Sequence, residues 1–244
     1  MKLKFLNAAS LIYSFSLVCS SAAVIAQQDF GASPATPVAT YTTTGTWLLQ
    51  SGAVTGTFSP STSTWGASGQ GIGANSNTAT IVFDAIDTSG YGSIDMAFRL
   101  AALSGTGSNA NGMELGDTFR VEISPNNGTT WYSQILVTGS SSSNARWSFA
   151  DGTGTATVGY STVTSTTFTP GGGGIRTSDG YSFISVTGLP SVSELKIRLT
   201  ATDSDANERW LVDSLVVSGT AIPEPDISAL IGAVGILGIF RRRR

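Results

Sequence analysis

Period-two alternation of apolar and polar residues is the strongest pattern in this chain. It is cleanest at Thr118 to Ser124, where Phe119, Val121 and Ile123 share one face and Arg120 and Glu122 the other. It recurs at Glu194 to Thr200, where Leu195, Ile197 and Leu199 oppose Lys196 and Arg198. Apolar, β-branched and aromatic runs predict further strands at Thr42 to Leu49, Thr78 to Ile86, Ile94 to Leu103, Trp131 to Thr138, Tyr160 to Phe168, Tyr181 to Thr187 and Trp210 to Ser218, with a short one at Arg146 to Phe149. Gly/Ser-rich loops at Phe58 to Asn77 and Gly171 to Gly174 separate them. No helical period occurs in this body, and no repeat has a fixed length. The expected fold is all-β: an antiparallel two-sheet β-sandwich, jelly-roll-like, flanked by an N-terminal signal helix and a C-terminal transmembrane helix.

The two ends carry the patterns that break the alternation. At the N-terminus Lys2 and Lys4 precede the apolar Leu11 to Val18, and Val24-Ile25-Ala26 offers a cut ahead of Gln27, with Ala23 as an earlier cut point. Residues 1–26 therefore read as a secretory signal. Residues 27–40, with Pro34, Pro37 and small side chains, read as a flexible lead-in to a sandwich over 41–222. At the C-terminus Pro223-Glu224-Pro225 is followed by Ile227 to Phe240, uncharged throughout, and then by Arg241, Arg242, Arg243 and Arg244. The two prolines hold the motif extended. These 14 residues, apolar except for Ser228, span about 21 Å as a helix, and the arginines stop it on the cytoplasmic side.

This order of motif, apolar segment and arginine run over 223–244 resembles the PEP-CTERM sorting signal of secreted bacterial proteins. The resemblance implies a transient anchor in the inner membrane, recognised and cut by an exosortase at or near Pro223-Glu224-Pro225. It also implies export to the cell surface or the extracellular space, in an exopolysaccharide or biofilm setting. It gives an address and not an activity.

Composition narrows the chemistry of the body. Loss of both ends leaves 7 of the 13 basic residues and 14 of the 16 acidic ones, a balance near −7. Such a surface argues against nucleic-acid binding, which needs Lys and Arg to displace counterions. The chain has no histidine, which excludes a Ser-His-Asp triad, a His-ligated zinc and a His general base. Its one cysteine, Cys19, lies in the signal, so the body holds no disulfide.

Four patterns in the body are candidate sites. Ser124-Pro125-Asn126-Asn127-Gly128-Thr129-Thr130-Trp131 resembles the Asp-box hairpin of sialidases, with Asn126 where that family has Asp. A single box reads as a structural hairpin built on Ser124, Asn126, Gly128, Thr130 and Trp131. Asp203, Asp205, Asn207 and Glu208 place oxygen donors close together, with Asp213 nearby, and make either a solvated turn or a calcium loop. That loop is not an EF-hand, because Glu208 takes the glycine position. The strand from Trp210 looks like the closing strand of extracellular jelly-roll modules. Trp65 and Trp147, in or beside polar loops, are the candidates for stacking on sugar rings.

The expectation is therefore a structural or adhesive surface protein and not an enzyme, with exosortase, the inner membrane and polysaccharide as partners and calcium as the one conceivable cofactor. The alternatives are a carbohydrate-binding module and a secreted hydrolase using two carboxylates.

Overall fold

A computed structural model describes residues 21–31, 33–51, 55–58, 61–64, 70–75, 77–104, 112–139, 145–149, 154–170, 180–205 and 208–223. The strands in chain order are β1 (Ala22–Gln28), β2 (Tyr41–Thr44), β3 (Trp47–Ser51), β4 (Thr55–Phe58), β5 (Ser61–Thr64), β6 (Gln70–Asn75), β7 (Asn77–Phe83), β8 (Tyr91–Ser104), β9 (Thr118–Ser124), β10 (Tyr132–Thr138), β11 (Gly154–Gly159), β12 (Thr166–Phe168), β13 (Tyr181–Leu189), β14 (Lys196–Asp203) and β15 (Glu208–Ala221). No helix occurs among the described residues, and both expected flanking helices fall largely outside them.

Two sheets form the body. One runs β11-β13-β8-β15-β6-β3, with β1 also paired to β15; the other runs β12-β10-β9-β14-β7-β2. A separate hairpin joins β4 and β5. The inward faces meet through aromatic rings. Phe119 of β9 lies 5.8 Å from Phe98 of β8 and 5.7 Å from Trp210 of β15, centroid to centroid. Phe119, Val121 and Ile123 are buried, as are Leu195, Ile197 and Leu199 on the next strand, so alternation became packing in both places. On the outward face, Arg198 Nε donates to Glu122 Oε2 at 2.6 Å across the β9–β14 pair.

Three expectations need correction. The sheets are mixed rather than purely antiparallel, because β12 joins β10 and β11 joins β13 in parallel. The strand expected over Thr42 to Leu49 is two strands in different sheets, β2 beside β7 and β3 beside β6. Gly45 makes the corner. It has φ +77, and a β-carbon there would sit 2.6 Å from the Thr78 carbonyl oxygen.

The third correction concerns residues 22–40. Ala22 to Ala26, read as the end of the signal, belong to β1, which pairs antiparallel with β15. Gln27 to Thr40, expected as a flexible lead-in, folds onto the same edge. Gln27 accepts from and donates to the segment through Ala39 N and Pro37 O, both at 2.8 Å. Gln28 donates through Nε2 to the Ala39 carbonyl and accepts the Phe30 N–H at 2.7 Å. Phe30 and Ala39 are buried, which supplies the apolar reason for a Pro-containing stretch to stay put.

Replacing Gly45 with Ala combines an unfavourable φ with a backbone clash. The expected loss is about 2–4 kcal/mol of unfolding free energy, read from urea denaturation. A Gly45→Ala protein as stable as the parent would show that the corner is not a constraint.

Candidate functional site

The hairpin between β9 and β10 is built as its sequence suggests. Ser124 Oγ accepts the Gly128 N–H at 2.8 Å, and Asn126 Oδ1 accepts both the Thr130 N–H and the Ser124 hydroxyl at 2.9 Å. Asn127 and Gly128 take positive φ, 53° and 84°. The Arg198 guanidinium sits 4.2 Å from the centroid of the Trp131 ring. These contacts tie the turn to its own strands and to β14, which is a structural role.

Of the two tryptophans proposed for sugar stacking, Trp65 lies outside the described residues. Trp147 cannot stack on a ligand, because it is fully buried. Its Nε1 donates to the Leu100 carbonyl at 3.1 Å, and its ring meets Trp210 edge-on at 5.8 Å. Its polar chain neighbours, Arg146 and Ser148, are themselves buried.

Of the acids proposed for calcium, Asp205 stays beside Glu208, whose carboxylate accepts its N–H, whereas Asp203 and Asp213 lie outside that group. Asn207 lies outside the described residues. Asp203 is buried at the end of β14, opposite Asn77. Asp213 is buried on β15, level with Arg99, where β15 passes from one edge partner, β6, to the other, β1. Its Oδ1 accepts the Ser214 N–H at 2.7 Å. Burial, with a further push from Asp29, lifts its carboxyl to about 6 against the pull of that hydrogen bond and of Arg99.

Glu208 finds different company. Its carboxylate, that of Asp117 and that of Glu114 each bring one oxygen within 4.8 Å of the other two. The segment 114–117 is a turn directly before β9. Asp117 N donates to the Glu114 carbonyl at 3.0 Å, and Asp117 Oδ2 accepts the Glu114 N–H at 2.8 Å. Gly139 lies so close beneath this turn that a β-carbon there would sit 2.3 Å from the Glu114 oxygen. Glu208 opens β15, and its Oε2 accepts the Asp205 N–H at 3.0 Å and the Ser204 N–H at 3.3 Å. Asp117 and Glu208 are buried and Glu114 is partly exposed.

Mutual repulsion and burial act together on this group. Burial pushes Glu208 up to about 7, and Asp117 and Glu114 add to the shift. Burial, Asp117 and Asp205 raise Glu114. Burial also raises Asp117, although Ser204 and the Glu114 N–H favour its charged form. Among the described residues no ion pair reaches any of the three. Glu114 and Asp117 looked like ordinary acids beside a strand. Their partner stands 91 residues beyond Asp117, and only the packing of the two sheets reveals it.

No family model and no curated protein matches this sequence. Among solved structures it is similar to the K2 cleaved adhesin domain of Lys-gingipain, at 11% identity and a TM-score of 0.38, over 74% of this chain and 89% of that one. It is also similar to an exo-β-1,3-galactanase from Phanerochaete chrysosporium, at 15% identity and a TM-score of 0.31, over 72% of this chain and 27% of that one. An exo-β-agarase matches at 10% identity and a TM-score of 0.35, over 76% and 24%. At these values no activity passes to this chain, which spans about a quarter of the length of the two hydrolases. The expectation that the chain is not an enzyme is nonetheless withdrawn, because glycoside hydrolases stand among the structures it matches.

Asp213 gives a pH test of the buried charge. A carboxyl raised from 3.8 to about 6 costs the folded state on the order of 3 kcal/mol at neutral pH. The folded protein holds the extra proton between those values, so this group adds stability as pH falls from about 7 to 4. Asp213→Asn keeps the acceptor for Ser214 and removes the charge. It should melt higher than the parent at pH 7.5, with the gap closing by pH 4. A gap that is constant across that range would show that the carboxylate carries no desolvation penalty.

Proposed function

We propose that this chain is an exported protein whose β-sandwich body is delivered to the cell surface or matrix by an exosortase acting at Pro223-Glu224-Pro225. The observation that carries this reading is the ordered tail: the proline motif, the uncharged Ile227 to Phe240 and the arginines Arg241 to Arg244. The junction supports it. Strand β15 ends at Ala221, the Ile222 N–H makes a last bond to the Gly90 carbonyl at 2.9 Å, and Pro223 is exposed. The first residue of the motif thus lies exposed just past the end of the last strand, where it can be reached without opening the core. The role of the body on this reading is structural or adhesive in a polysaccharide-rich exterior, with the inner membrane as a transient anchor.

One observation favours a carbohydrate-binding body as a second reading. Trp131 and Tyr132 line an open groove of about 280 Å³ with Ser133, Thr162, Val163 and Ser165. An aromatic wall beside hydroxyl-bearing loops is the arrangement that takes a sugar's C–H face and its hydroxyls. Loss of binding to exopolysaccharide in Trp131→Ala, with the fold intact by circular dichroism, would support it; unchanged binding would remove it.

The intact mass of the protein from cell surface and medium tests the sorting reading. The expected product ends near Pro223 to Pro225. A product retaining Ile227 to Arg244 means a permanent anchor and ends the exosortase reading. The same spectrum locates the N-terminus. A cut ahead of Gln27 removes Ala22 to Ala26, five of the seven residues of β1, so a start that spares more of β1 is expected from the pairing with β15.

A further inference from the structure

We propose that Glu114, Asp117 and Glu208 form a calcium site that cross-links the two sheets of the sandwich. Acidic side chains near one another are common on surfaces, but this group differs in two respects. Asp117 and Glu208 are buried, at 0% and 1% exposure, so water cannot solvate their charges. Asp117 Oδ1 is, in addition, a buried carboxylate oxygen that receives no hydrogen bond of normal geometry. The other oxygen of that residue is already used by the Glu114 N–H. Ser204 lies near enough to favour the charged carboxylate, but Oδ1 has no bond of normal geometry, and a cation would complete it.

The donor set selects the ion. All three ligands are carboxylates, with no histidine in the chain and no cysteine among the described residues, which disfavours zinc and copper. Three oxygens within 4.8 Å of one another can share one centre at roughly 2.3–2.6 Å, the calcium–oxygen distance. Magnesium requires about 2.1 Å and a near-ideal octahedron, and it usually keeps several waters and few carboxylates, so a three-carboxylate set suits calcium better. Partial exposure of Glu114 leaves a way in from solvent and room for water ligands. The positions of the ligands explain what the ion would do. Glu114 and Asp117 sit on the turn that feeds β9 in one sheet, and Glu208 starts β15 in the other. One ion therefore joins the sheets at an end where no disulfide is available. At the roughly 10⁻⁴ to 10⁻³ M typical of extracellular calcium modules, the link would form outside the cell and not in the cytosol, which rests on the export proposed above.

The test is thermal unfolding of the full-length protein with 10 mM CaCl₂, with MgCl₂, and with NaCl at matched ionic strength. Calcium should raise Tm by about 3–10 °C, and Glu114→Gln and Glu208→Gln should each abolish most of that rise. Calorimetric titration with CaCl₂ should find one site per chain. The proposal is overturned if calcium gives no rise, if NaCl or MgCl₂ gives an equal one, or if the rise survives in Glu114→Gln. Glu114 is partly exposed, so that variant carries the decision should Glu208→Gln fail to fold.

Discussion

The antiparallel ladder between β15 and β8 is the constraint on which the rest of the body depends. It runs from Glu208 opposite Ser104 to Ala221 opposite Tyr91, with each strand 14 residues long. Beyond β8 the sheet continues through β13 to β11. On its other edge β15 serves two partners end to end, β6 along Arg209 to Val212 and β1 along Leu215 to Thr220. The change of partner needs a break in the strand, and Ser214 supplies it with φ 54° and a register shift against β8. Asp213 fastens that break through its bond to Ser214 N.

Two buried acids on one strand set the electrostatic character of the molecule. Asp213 has an arginine opposite, Arg99, which offsets part of its desolvation. Among the described residues, Glu208 has other acids, backbone N–H groups and the Ser204 hydroxyl around it. The outward pair Glu122–Arg198 shows the alternative, a bonded ion pair between neighbouring strands. The chain therefore treats equal charges in opposite ways. A carboxylate on an outward face is matched by a side chain, whereas the group at the start of β15 calls for a counter-charge from outside the polypeptide.

How much was legible follows from how local each signal is. Strand β9 falls on the residues its alternation marks, Thr118 to Ser124, and β14 lies within three residues of its expected span at both ends. The hairpin was legible because Ser124, Asn126 and Gly128 make their bonds inside the motif. The split at Gly45 was not, since the reason is a carbonyl at Thr78 on another strand. The parallel edges β10–β12 and β11–β13 escaped for the same reason, as did the acid group at Glu208. Trp147 misled because a polar loop beside it implies solvent, and nothing local reveals that Arg146, Trp147 and Ser148 are all buried. Residues 27–40 misled because proline and small residues are as compatible with a docked edge segment as with a free one.

The pairing of β1 with β15 has a mechanical consequence. Ala22 lies opposite Thr220, so β1 starts and β15 ends at one corner of the sheet. Tension between the two ends would peel β1 away one hydrogen bond at a time, like a zip, at low force. Tension between the tail and a grip on the far end of β8 would instead load the long β15–β8 ladder in shear, with its bonds bearing the load together. A body held through its C-terminal end and tugged from its opposite pole is thus gripped in its strong direction.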